Sequence, residues 1–129
     1  KALYHAATVI VSNYQASLME LGTRVFERAG VVRSAARQIM EPLARETLAN
    51  IFELDAVRAL TGPIARGDGN VVAEHVAALA SWQRNYMDLY CLLGQIALHL
   101  ARQKGTAASS SLDIIENILA NPIPGAQAH

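Results

Sequence analysis

Residues 2–29 contain one glycine, Gly22, and no proline, and this run constrains the fold more than any other feature of the chain. Apolar residues stand nearly all round the helical wheel as far as Val11, and a one-sided stripe of Leu18, Leu21, Val25 and Phe26 follows. The pattern predicts one long first helix from Ala2 to about Ala29, stopped at Gly30. A helix that is apolar on every side belongs at the centre of its fold or in a subunit interface.

The rest of the chain reads as further helices. Ser34 is the expected N-cap of a second one, with Ala36, Ile39, Met40, Leu43, Thr47, Leu48, Ile51 and Phe52 at spacings of three and four. Pro42 falls inside it and predicts a kink, or two short helices meeting near Glu41. Asp55 caps a short turn through Ala59, and from Gly62 and Pro63 the chain is expected to run irregularly to Gly69. Asn70 is the expected cap of a helix through about Ala80. Tyr86, Leu89, Tyr90, Leu93, Ile96, Ala97 and Leu100 form the clearest stripe in the chain, ending near Gly105. A short last helix follows Ser109 to Ser111, where Ser110 and Asp113 have capping-box spacing, and residues from Asn121 read as a frayed tail. The expectation is therefore all-α: one multi-helix domain over 1–120 and a tail over 121–129.

Composition agrees with this class. Hydrophobic residues make up 52% of 129 but aromatics only 5%, which suits close-packed, Ala-rich helices better than a β-sandwich. Eleven basic residues balance eleven acidic ones, leaving no net field to attract nucleic acid. Cys91 is the only cysteine, so no intrachain disulfide forms, which fits a cytoplasmic setting. No apolar run approaches the length needed to span a bilayer, so no membrane partner is expected.

Two groups of residues could carry chemistry. Lys1 and His5 are four apart and share a helix face, where a lysine could protonate an alkoxide and a histidine could polarise a carbonyl. Ser12 and Asn13 extend this polar interruption. The second group lies in ALTGPIARGD, residues 59 to 68. Gly62 and Gly67 have the spacing of a phosphate-binding loop, but Asp68 and Gly69 stand where that motif needs Lys and Ser or Thr. Arg66, Gly67 and Asp68 spell an integrin-binding tripeptide, which three residues are too few to support. Two accounts stay open. Arg66 and Asp68 form a local ion pair in an ordinary turn. Alternatively, Arg66 grips a carboxylate or phosphate while Asp68 orients it or caps the next helix. His75, His99 and Cys91 lack metal spacing, and no metal is expected.

YHAATVIVSNY (4 to 14) and ALTGPIARGD together, with PLARETLANI (42 to 51) and NVVAEHVAAL (70 to 79) between and after them, resemble a family of bacterial Rossmann-like oxidoreductases. The C-terminal half of these proteins is a helical domain of unknown function, similar to the C-terminal domains of 6-phosphogluconate dehydrogenase, ketopantoate reductase and pyrroline-5-carboxylate reductase. The resemblance implies a parent protein whose N-terminal Rossmann domain, absent here, binds NADP or NAD. It implies that this helical part supplies the other wall of the cleft and the contact of a homodimer. In those dehydrogenases the first helix of this domain carries a Lys with an Asn four residues on. Lys1 matches the Lys, and His5 replaces the Asn. The ALTGPIARGD loop looks like the family signature, with Thr61, Gly62, Arg66 and Asp68 expected to face the same cleft.

The resulting expectation is a substrate-cleft and dimerisation domain acting on a small carbonyl or imine compound that bears a carboxylate. Lys1 would be the proton donor, His5 a polariser and Arg66 an anchor. The isolated chain is expected to be inactive, because the missing half brings hydride and substrate together. The alternative is a non-catalytic helical dimerisation or interaction module.

Overall fold

The computed structural model describes residues 1–122, and all of its regular structure is helical, with no strand among the described residues. The helices are α1 (Ala2–Val11), α2 (Asn13–Arg28), α3 (Arg33–Glu53), α4 (Ala56–Ala59), α5 (Gly62–Arg66), α6 (Gly69–Ala80), α7 (Arg84–Lys104) and α8 (Ser109–Ala120). The expected tail begins at Asn121, and residues 123–129 of it lie outside the described residues. The chain divides into two compact units, Lys1–Ala49 and Asn50–His129.

In the first unit the long first helix is present as α1 and α2, separated by Ser12 (φ −103°, ψ −65°). Backbone bonding runs through the interruption: Ser12 N–H donates to Thr8 O at 3.0 Å and Gln15 N–H to Ser12 O at 3.2 Å. The helix ends at Gly30 as expected, with Val31 N–H donating to Phe26 O and Gly30 N–H to Glu27 O, the bond pair of a Schellman end. Thr23, buried on α2, donates its hydroxyl to Met19 O and touches Met40 Sδ of α3 at 3.4 Å. Arg33 clasps Glu20 at 2.7 Å and reaches Glu27 at 3.5 Å, fastening the two helices at the surface.

α3 begins at Arg33, one residue before the expected cap Ser34, and Ala36 N–H bonds to Val32 O. It also runs through Pro42 as one helix, not as the two short helices that were one of the expectations there. The proline costs the one bond it cannot donate to Gln38 O. Both residues face solvent, so water can take the freed carbonyl and the ladder on either side survives.

The second unit has a contiguous core built from α5 to α8: Ile64, Val72, Val76, Met87, Cys91, Leu98, Ala101, Leu112, Ile115 and Leu119. Burying each of the larger aliphatic side chains contributes about 1.5–3 kcal/mol. The buried face of α7 is Met87, Cys91, Gly94, Leu98 and Ala101, and this corrects the expected stripe. Tyr90 and Ala97 of that stripe pack against the core, but Leu89, Leu93 and Ile96 are exposed. The small residues decide which face turns inward, because Gly94 lets Leu119 of α8 lie directly on the α7 backbone.

Two caps also differ from expectation. Asp68, not Asn70, caps α6, its carboxylate accepting from Val71 N–H at 3.3 Å. No capping box forms at α8: Ala108 occupies the cap position, and Asp113 is drawn instead to Arg102 of α7 at 2.9 Å.

Candidate functional site

The ten residues 59–68 form a compact, tied-down element rather than the expected irregular run. Asp55 starts it: its carboxylate accepts from Arg58 N–H at 2.8 Å and caps α4. The chain then extends through Leu60 and Thr61, and Pro63 sits at the start of α5, where a missing N–H costs nothing. Gly67 closes α5 in the left-handed region (φ 73°). Asp68 N–H donates to Pro63 O at 2.8 Å and Gly67 N–H to Ile64 O at 3.1 Å, a second Schellman end. Asp68 then begins α6. A single Thr-Gly-Pro start, one and a half turns and a Gly-Asp stop thus account for the whole motif.

Tertiary contacts hold this element at both ends. At its start, the Lys104 ammonium at the end of α7 donates to Leu60 O at 2.6 Å and to Arg58 O at 3.2 Å. At its end, Gly67 packs so closely on α8 that an added β-carbon would lie 3.0 Å from Ser111 Cβ and 3.2 Å from Ala107 Cβ. Between them Ile64 and Ala65 are buried. Thr61 and Arg66 face solvent, and Thr61 makes no side-chain cap bond.

The geometry removes the local ion pair from the account of Arg66. Asp68 is occupied as a helix cap, and among the described residues no ion pair joins it to Arg66. Arg66 therefore presents an exposed guanidinium, without a carboxylate partner among the described residues, on a rigid support. Such a group can accept a planar anion in two parallel hydrogen bonds.

The other predicted group lies in the first unit. Lys1 and His5 are one turn apart at the start of α1, with His5 N–H donating to Lys1 O at 3.2 Å, and both are exposed. Ser12 forms the junction between α1 and α2, Asn13 begins α2, and both are exposed as well. Thr61, Gly62, Arg66 and Asp68 belong to the second unit. The first unit also has an open groove of about 690 Å³ along α2 and α3, floored by Met19, Met40 and Ala44 and edged by Arg33, Arg37 and Arg45. It includes none of the predicted site residues.

Two features escaped the sequence reading. Lys104 reads as a cation completing a helix C-terminus, and its targets, more than forty residues earlier, leave no mark in the sequence. His75 Nδ1 and Tyr90 Oη share a hydrogen bond at 3.0 Å, the rings meeting edge to face. Burial pushes the Tyr90 phenol and the Cys91 thiol above their ordinary values, and Cys91 packs in the core.

Fold and loop together define a chain that is helical throughout its described regular structure and displays an arginine on a clamped turn. The family model of a domain of unknown function, DUF2520, matches residues 1–97 of the 129, and the chain belongs to that family. The match covers both predicted groups and ends within α7. No curated protein and no solved structure matches the chain. Among the described residues no helix is long and apolar enough to cross a membrane.

Proposed function

We propose that this chain is the substrate-cleft and dimerisation domain of an NAD(P)-dependent oxidoreductase that reduces a small carbonyl or imine compound bearing a carboxylate. The observation that carries the reading is Arg66, exposed, without a carboxylate partner among the described residues, and held on a turn fixed by Lys104, Gly67 and two buried side chains. A site that binds an anion needs such a guanidinium kept free and its backbone rigid, so that little entropy is lost on binding. The resemblance that pairs Lys1 with the lysine of related dehydrogenases supports the reading, and the DUF2520 match over residues 1–97 takes in both groups of proposed site residues. In this scheme Lys1 donates the proton to the oxygen or nitrogen that receives hydride, His5 polarises the same bond, and Arg66 anchors the carboxylate. NADP or NAD is held mainly by a separate nucleotide-binding domain.

The test uses the full-length polypeptide that carries this chain, with NADPH or NADH and a panel of 2-keto acids, cyclic imino acids and their amide analogues. Arg66→Ala is expected to raise KM for the acids by about 10- to 100-fold, with little change for the amides. Lys1→Ala is expected to lower kcat by about 100-fold or more. A folded double variant with full activity removes both residues from the site and the proposal with them. A second reading, a non-catalytic assembly module, is favoured by the exposed apolar side chains of α1; it predicts turnover with no member of the panel.

A further inference from the structure

The groove of the first unit has no part in the proposed chemistry, and two kinds of surface meet in its lining. Its floor forms where a methionine of α3 reaches α2. Met40 Cε lies 3.6 Å from where a β-carbon on Gly22 would stand, and Thr23 Oγ1 meets Met40 Sδ at 3.4 Å. Met19 of α2 and Ala44 of α3 continue that floor. Methionine is unbranched and polarisable, so it re-packs readily around an apolar guest. The volume of about 690 Å³ falls within the roughly 300–1,000 Å³ of small-molecule sites.

The rim carries one positive charge that the chain leaves unanswered. Arg33 is held by Glu20 at 2.7 Å and approaches Glu27 at 3.5 Å, and Arg45 is held by Glu41 at 3.2 Å. Arg37 stands between them on α3, exposed and without a carboxylate partner among the described residues. Arg33, Arg37, Met40 and Ala44 recur at spacings of four, three and four, so they share one side of the helix. A single unspent guanidinium therefore stands beside an apolar floor, and the cations on either side of it are already neutralised.

We infer that this groove binds a free amphiphile with one anionic head and an apolar chain, a fatty carboxylate, its head on Arg37 and its chain along Met40, Met19 and Ala44. Charge complementarity selects this occupant. A carboxylate accepts two parallel hydrogen bonds from a guanidinium. An acidic amphipathic helix would bring several carboxylates to a rim that has one cation to offer. An anionic bilayer needs a cluster of free cations, and the two flanking arginines are engaged by glutamates. A neutral guest would leave Arg37 unused. The inference is independent of the proposed reductase chemistry, because no residue lining the groove belongs to either group of proposed site residues.

The chain's three methionines supply the readout. Dodecanoate, kept below its micelle threshold, is titrated into the 129-residue chain carrying isotope-labelled methionine methyls, followed by NMR. The Met19 and Met40 methyls are expected to shift saturably, while Met87, 1% exposed in the core of the second unit, stays still. Arg37→Gln is expected to weaken dodecanoate about tenfold and to leave dodecanol unchanged, and Arg37→Lys to recover part of the loss. Ala44→Phe fills the floor and is expected to weaken both by about tenfold or more. Arg66→Ala is expected to change neither, which separates this groove from the proposed substrate anchor. Absence of a saturable shift at Met19 and Met40 overturns the inference, as does an Arg37→Gln chain that binds dodecanoate like the parent. Binding confined to phosphatidylglycerol vesicles, with none to the free acid, overturns it as well. Arg37 is exposed, so its variants keep the test decisive if Ala44→Phe does not fold. None of these readings depends on turnover, so failure here leaves the proposed chemistry standing.

Discussion

Gly94 of α7 lies beneath Leu119 of α8 so closely that a β-carbon on Gly94 would stand 2.9 Å from Leu119 Cδ2 and 3.1 Å from Cδ1. The helices meet at this point because one has no side chain there and the other has a leucine, 2% exposed, packed in the core. Gly94→Ala is expected to destabilise: overpacking costs about 1–3 kcal/mol, offset in part by roughly 1 kcal/mol of helix propensity. In a Leu119→Ala background the clash is gone, and the same substitution becomes neutral or stabilising. Urea unfolding of the four members of this cycle checks the reversal of sign, and equal effects in both backgrounds would show that Leu119 is not the obstacle.

Gly67 joins two demands at one residue, a left-handed backbone and contact with Ser111 and Ala107. Gly67→Ala is expected to cost about 2–4 kcal/mol, from the left-handed penalty and the crowding together. An alanine variant as stable as the parent in urea would mean that the turn is not clamped on α8.

Lys104 holds the start of the loop. Lys104→Met keeps the aliphatic stem and removes the donor, leaving the half-buried Leu60 carbonyl unpartnered at a cost of about 1–3 kcal/mol. Amide exchange should accelerate at Ala59 and Leu60, whose N–H groups close α4 on Asp55 O and Ala56 O. Lys104→Arg should recover part of both effects. Unchanged exchange in the methionine variant would show that the turn is held without the ammonium.

Asp55 supplies a pH dependence of known sign. The Arg58 backbone N–H, followed by the Arg58 guanidinium, holds its carboxyl below the ordinary value of 3.8. Because the folded pKa is the lower one, the stabilisation is present above 3.8 and is lost as pH falls through the folded value. Asp55→Asn removes the titration. Urea midpoints measured down the acid limb should therefore converge for the two proteins, and parallel midpoints throughout would exclude Asp55 as a source of acid sensitivity.

Much of the local structure is readable from short-range chemistry. The runs free of Gly and Pro are helices. Gly30 ends α2, Asp55 caps α4, and α7 stops before Gly105. Each of these depends on a residue's own backbone preference or on a partner a few positions away. Of the expected caps, Asn70 gives way to Asp68, whose carboxylate takes Val71 N–H, the Ser110–Asp113 box is lost as Asp113 pairs with Arg102 on another helix, and α3 begins one residue before Ser34.

The candidate site was readable to a different depth. Composition and motif single out residues 59–68, and Arg66 within them, as candidates. Its place three residues before Val71 allows Asp68 to cap α6, and only the folded chain shows that the carboxylate is spent there and not on Arg66.

Sequence alone therefore determines that the chain is helical, where most helices begin and end, and which ten residues form its distinctive turn. These are consequences of backbone propensity and of bonds closed within one or two turns. Only the tertiary structure decides that α7 turns Cys91, Gly94 and Ala101 inward and leaves Leu89, Leu93 and Ile96 outside. It also decides that Lys104 and α8 clamp the turn. The reason is that periodicity registers large apolar side chains, whereas close packing of two helices is governed by where the small ones let the backbones approach.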